Sequence, residues 1–282
     1  MAIYNSANNS YQSHNKTLFE AVVVADQFGN MVGPANPSGM AVDAFGRART
    51  SSPLTLFDSF HRYQDNGKAS TSNTSGGTYT HHANTSMVEL TVNSTSGAEV
   101  IRETNRVFAY QPGKSLQIMI TFCMNEAKTG LRQRAGYFTD YAGIFLEQDG
   151  SDIYLVKRSN VTGTLTDTKI AKADWNTDPL DGSGPSNKTL DLTKAQIFFI
   201  DVEWLGIGSV RCGFIIDGQL IHAHSFHHAN VLLTTYMTTA CLPGRVEITN
   251  TGTMTGTATY RLQHWHLSAS VLTYSIRFLH ID

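Results

Sequence analysis

Two carboxylates, Asp201 and Glu203, stand two residues apart inside the most regular apolar alternation of the chain, FFIDVEWLG from Phe198 to Gly206. On an extended strand such a pair projects from one face, with roughly 6.5 to 7 Å between the backbones. A glycosidase that uses one carboxyl as acid and another as nucleophile or base could adapt that separation. The histidines offer a different chemistry. His222 and His224 are two apart, His227 and His228 follow, and His264 and His266 repeat the spacing around Trp265. Two imidazoles on one strand face can chelate zinc or nickel, most simply in a site shared between symmetric subunits. Asp174, Asp178 and Asp181, beside Gly182 and Gly184, could hold calcium through oxygen ligands. Asp–Gly clusters are also ordinary turn formers, and neutral histidine is an ordinary half-buried strand residue. The sequence is therefore read as carrying no cofactor and no resident metal, with His222, His224, Asp178 and Asp181 as the residues a metal would use. It contains no phosphate loop, nucleotide fingerprint or Gly-x-Ser-x-Gly elbow.

The elements that must position these groups are strands. Phe198, Ile200, Val202 and Trp204 fall on one face and Phe199, Asp201, Glu203 and Leu205 on the other, a period of two. Gly206 and Gly208 punctuate a first turn, and Asp217-Gly218 is a hairpin signal before Leu220 to His222, so the region from Ala195 to His228 reads as a β-meander. Further strand-length runs are Met87 to Val92, Val107 to Tyr110, Leu116 to Met124, Gly143 to Gln148 and Ile153 to Arg158. No sustained helical periodicity appears. Many short strands separated by turn signals imply an all-β, two-sheet antiparallel sandwich of jelly-roll, concanavalin-like type. Residues 1–40 read as an N-terminal arm, with a short hairpin from Glu20 to Asp26 and a Gly/Pro breaker run from Gly33 to Gly39. Residues 41–250 form the sandwich, and residues 251–282 add an edge-like strand, Thr251 to Tyr260, and a tail that completes the sandwich or an interface.

Composition narrows the function classes. Only 16% of the 282 residues are charged, and the formal net charge is −2, with no Lys/Arg block. Neither nucleic acid nor a membrane is an expected partner. The first residues lack the basic start and apolar core of a secretory signal, and Asp201 and Glu203 interrupt the most apolar run, so no spanning helix is expected. Cys123, Cys212 and Cys241 sit in apolar contexts and are expected as reduced core thiols.

Two resemblances follow from these residues. The stretch from Phe199 to Gly206 resembles the Glu-x-Asp-x-Glu strand of family 16 glycosidases, which are concanavalin-like jelly rolls. Asp201 matches the assisting position and Glu203 the acid/base position, whereas Phe199 stands where the nucleophile belongs. A phenyl ring cannot capture an oxocarbenium-like centre, so the resemblance implies the fold without hydrolysis unless another carboxylate lies beside Phe199. A longer resemblance runs from about 43 to 252. DAFGRAR from Asp43 to Arg49, PLTLFD from Pro53 to Asp58, RVFAYQPGKS from Arg106 to Ser115, RAGYF from Arg134 to Phe138, GIFLEQD from Gly143 to Asp149, DVEWLG from Asp201 to Gly206 and EITNTG from Glu247 to Gly252 are similar to a recurrent virion structural protein family of tailed bacteriophages, marine and cyanobacterial ones in particular. That family has no established catalytic residues, so the resemblance assigns none.

The reading that results is a non-enzymatic structural component of a tailed-phage virion, a head-surface decoration, cement or fibre-like subunit. The alternative is a tail or baseplate adsorption protein that binds host-surface glycan. Its partners would be other copies of itself, a trimer by analogy with projecting β-rich phage proteins, together with capsid or tail proteins. Phe45, Arg47 and Arg49, just after the Gly/Pro run, are read as the junction that docks the arm, or equally as the start of the core with two solvated arginines. Tyr137, Phe138 and Tyr141 are candidates for an exposed cluster that stacks glycan or forms an interface, with packing within a sheet the favoured fate of aromatics at such spacing.

Overall fold

The computed structural model describes residues 2–5, 10–13, 54–65, 67–111, 114–252 and 254–270. The chain divides into two units, Met1–Val42 with Arg47–Arg49, and Asp43–Gly46 with Thr50–Asp282. In the first unit, β1 (Ala2–Asn5) pairs antiparallel with β2 (Ser10–Ser13). The expected hairpin from Glu20 to Asp26, the Gly/Pro run, and Phe45, Arg47 and Arg49 lie outside the described residues.

The second unit is the sandwich. Its seven-stranded sheet runs in the order β12 (Thr166–Ala171), β11 (Asp152–Ser159), β10 (Gly143–Asp149), β9 (Leu131–Phe138), β16 (Gly244–Asn250), β7 (Glu99–Thr104), β4 (Ala69–Asn73). The eight-stranded sheet runs β15 (Gln219–Phe226), β14 (Val210–Ile216), β13 (Gln196–Val202), β8 (Ser115–Cys123), β17 (Ala258–Ser270), β6 (Met87–Val92), β5 (Gly77–His82), with β3 (Leu54–Phe60) also paired to β17. Every ladder is antiparallel, and the fold is the all-β jelly-roll sandwich that the alternating pattern implies.

Period-two burial explains why these residues form these strands. Ile118, Ile120 and Phe122 of β8, Phe198, Ile200 and Val202 of β13 and Val88, Leu90 and Val92 of β6 all point inward. They meet Ala135, Tyr137, Ile144, Leu146, Val246 and Ile248 from the opposite sheet in one continuous core. Phe198 packs on Phe214, and Phe122 stacks on Tyr260.

Three expectations about elements need correction. The run from Val107 to Tyr110 makes only an isolated bridge between Phe108 and Leu242, because Val107 points to solvent while Phe108 alone is buried. The stretch expected as an edge-like strand, Thr251 to Tyr260, is mostly loop. The strand there, β17, is central, with β8 on one side and β6 and β3 on the other, held by the buried Tyr260, Leu262, Trp265 and Leu267. The three cysteines are free, but only Cys212 is a core residue, and Cys241 is exposed. Among the described residues no helix is long and apolar enough to cross a membrane.

Candidate functional site

Strand β13 sets Phe199 and Asp201 on the outer face of the eight-stranded sheet. Register places Asp201 opposite Arg211 of β14, and the Arg211 guanidinium donates to the Asp201 carboxylate at 2.5 Å. Asp201 is 2% exposed. Phe199 is fully buried between Gly213, where any Cβ would sit 2.7 Å from the phenyl ring, and His222, whose ring meets it edge-on at 5.3 Å. Glu203 lies one residue beyond β13, its amide still bonded to the Ser209 carbonyl at 3.0 Å, and its carboxylate folds back to accept the Ser209 amide at 3.2 Å. The glycosidase-like stretch thus commits one carboxylate to an arginine and the other to a turn, with a packed phenyl ring at Phe199, where the nucleophile would stand.

The histidines separate for a structural reason. A β-bulge between Cys212 and Gly213 sets His222 opposite Gly213 and His224 opposite Cys212, so the two imidazoles expected on one face point to opposite faces. His224 accepts the Asn176 amide, and burial lowers its pKa to about 4. His228 stacks flat on Tyr236 at 3.9 Å and donates from Nδ1 to the Gly208 carbonyl at 2.6 Å; burial brings its pKa to about 4 as well. On β17, His264 and His266 both reach Asp58 of β3, at 2.5 and 3.5 Å, and hold its carboxyl below the ordinary aspartate value against the opposing effect of burial. Asp178 accepts the Leu180 and Ser186 amides at 2.8 Å each, and Asp181 accepts the Ser183 amide and hydroxyl. Both aspartates therefore organise a loop. Among the described residues no group of three or more His, Cys, Asp or Glu side chains is arranged to hold a metal ion.

The expected exposed aromatic cluster is not one. Tyr137 and Phe138 are fully buried and only Tyr141 is exposed. Tyr137 points into the core, where its hydroxyl lies 2.8 Å from the Ala240 carbonyl and 3.0 Å from that of Phe108, and accepts the Leu242 amide at 3.0 Å. Burial raises its pKa well beyond the ordinary tyrosine value. Phe138, one residue on, points the other way.

Phe138 belongs to an array that sequence reading missed. On the outer face of the seven-stranded sheet, Arg134 of β9 lies directly opposite Glu147 of β10 and Glu247 of β16 and donates to both, at 2.6 and 3.1 Å. Glu147 also takes Lys169 of β12 at 2.5 Å, and burial, which would raise its pKa, is overcome by Arg134 and Lys169. Arg245 joins Glu247 at 2.5 Å and Asp140 at 2.9 Å, and Arg158 forks onto Asp167 with both contacts at 2.8 Å. The Phe145 ring lies under the guanidinium groups of Arg134 and Arg158, at 5.1 and 5.0 Å, and Phe138 under that of Arg245 at 5.3 Å. Glu147 is 0% exposed and Glu247 2%. The signal was present as alternation, with Arg132 and Arg134 between Leu131, Gln133 and Ala135, and Arg245 and Glu247 around Val246. Such an array fixes a sheet face in one geometry.

No protein-family model matches the sequence, and no curated protein matches it. The fold is similar to that of solved structures at low identity. One is a protein of unknown function from Shewanella oneidensis MR-1, with 12% identity and a TM-score of 0.48 over 79% of this chain and 90% of that one. Another is the endo-1,3-beta-glucanase of Streptomyces sioyaensis, with 8% identity and a TM-score of 0.49 over 79% and 98%. The receptor binding domain of botulinum neurotoxin D gives 10% identity and a TM-score of 0.45, and this chain spans half of that chain's length. Likeness of this depth carries no activity to this chain.

Proposed function

We propose that the chain is a non-enzymatic structural subunit of a tailed-phage virion, a head-surface decoration, cement or fibre-like protein. The observation that carries the reading joins the sequence resemblance to the fold. RAGYF and GIFLEQD, neighbours in the chain, and EITNTG, far downstream, are three of the segments that resemble the virion family, and they become the adjacent strands β9, β10 and β16, in the sheet order β10, β9, β16. Together they build the Arg134–Glu147–Glu247 array. What those segments share is thus a rigid sheet face, the property a repeated particle component needs. The use of Asp201 and Glu203 as structural partners agrees with it. The glycan-binding alternative keeps one of its three aromatics, Tyr141, at the surface.

The test is cryo-electron microscopy of the intact particle, with mass spectrometry of its proteins. Density on the capsid lattice supports decoration or cement, and density on the tail moves the assignment to adsorption. Absence of the chain from purified particles overturns the proposal.

A further inference from the structure

One end of the sandwich presents apolar side chains without cover. The turn from Trp204 to Ser209 exposes Leu205 (54%) and Ile207 (45%), and the loop after β15 exposes Val231 (69%), Leu232 (37%) and Leu233, which projects completely. The two loops are fastened to each other. Tyr236 donates its amide to the Gly206 carbonyl at 2.9 Å and its hydroxyl to the Glu203 carbonyl at 3.0 Å, while His228 bonds Gly208 and stacks on Tyr236. The aliphatic tips therefore stand on a fixed base. Leu205 adds a second observation, since it is held at φ +40°, a conformation that favours glycine or asparagine. A bulky apolar residue is thus kept where both backbone and solvent disfavour it, the signature of a constraint other than folding.

Charge decides what such a tip fits. From Gly218 to Gly244 the chain has no Asp, Glu, Lys or Arg, and neither has the turn from Trp204 to Ser209. The two loops offered carry no charged side chain at their tips, the nearest carboxylate being that of Glu203, held at the base of the turn by the Ser209 amide, and the exposed apolar area is on the order of a few hundred Å². That is the size at which apolar patches carry function, yet well short of the ~800 Å² per partner of a standard protein interface. A bilayer needs no matching groove, and insertion limited to the aliphatic tips leaves the Glu203 carboxylate at the base outside the apolar region. We propose that the paired loops at Leu205–Ile207 and Val231–Leu233 form a tip that inserts into the apolar region of a neutral lipid bilayer. This goes beyond the particle assignment and runs against the expectation from charge alone that a membrane is no partner, since a missing Lys/Arg block bears on attraction to anionic lipid and not on insertion of apolar loops.

The experiment uses the full chain and extruded vesicles of phosphatidylcholine and phosphatidylethanolamine. Co-sedimentation is expected, unchanged between 0.1 and 0.5 M NaCl as suits an uncharged contact, since the roughly twofold shorter Debye length does not act on it. L205S and L233S should each weaken partitioning by on the order of tenfold while leaving the melting temperature unchanged. L233W places a reporter at the tip, and its emission should shift to the blue on adding vesicles and be quenched by brominated lipid. No sedimentation of the parent chain, or an unshifted L233W spectrum, overturns the proposal. So does loss of self-association instead of vesicle binding in L205S and L233S, which would make the tip a contact between copies. Because the purified chain is used, failure here is read separately from its place on a particle.

Discussion

The outer face of the seven-stranded sheet and the loop end of the sandwich invert the usual arrangement in opposite ways. The sheet face hides charge: Arg134, Glu147, Arg245 and Glu247 are nearly inaccessible beside a small apolar cluster of Phe138, Phe145 and Val156. The loop end shows aliphatics, with Val231 and Leu233 in solvent above a buried His228 and Tyr236. On the sheet, direct cross-strand register brings opposite charges together, so each ion is desolvated against a partner already in place. In the loops no ladder exists, and stacked rings with backbone acceptors do the fixing. Rigidity in this molecule thus has two sources, and they should fail under different treatments.

The largest effect should come from the sheet. Glu147→Ala leaves Arg134 and Lys169 facing each other without the shared carboxylate, and breaking a buried pair costs about 3–5 kcal/mol. Urea unfolding should show that loss, and a cost below 1 kcal/mol would mean that the array is ornamental. Acid should separate the two regions next. His224 and His228 titrate near 4 in the folded chain and near 6.5 unfolded. The unfolded state therefore takes up protons first, and their contribution, on the order of 2 kcal/mol each, is present above pH 6.5 and lost as pH falls toward 4. Glu147 has a depressed pKa, so its contribution stays until the pH drops below the ordinary glutamate value. Hydrogen exchange at pH 5 should consequently speed up around 227–236 and not in β9 and β10, and equal acceleration in both would erase the distinction.

Tyr137→Phe should cost less, about 1–2 kcal/mol, by removing the acceptor of the Leu242 amide and the donor between two carbonyls. A differential scanning measurement would read it, and no shift would mean that water replaces the hydroxyl. Leu233→Ser should change stability by less than about 0.5 kcal/mol, since the side chain touches nothing it stabilises. A clear loss of stability would show that the tip is part of the fold.

Legibility followed apolar alternation. Met87–Val92 and the meander strands were readable because one face is aliphatic throughout, as was the two-sheet class. β9 and β16 escaped because arginine and glutamate occupy their outer positions, and the pattern registers only when their burial against each other is known. β4 and β5 escaped because ASTSN and GTYTHH have no aliphatic side. At the candidate sites, residue type was legible and orientation was not. One extra residue in β15 reversed His222 against His224, and Asp201 and Glu203 were taken up by different partners, the Arg211 guanidinium and the Ser209 amide. Spacing in sequence converts to direction only where the ladder is unbroken.

The central place of β17 has a consequence for how the protein is made. Ser115 pairs with Ser270 and Val92 with Ala258, so both β8 and β6 wait for partners that leave the ribosome long after they do. Until then two long apolar strands have open edges, the state in which nascent chains pair wrongly with one another. Sheet closure is therefore a late step of high contact order, slow by nature and open to capture by chaperones. A chain interrupted before Ala258 is predicted to be lost to aggregation rather than released as a smaller sandwich.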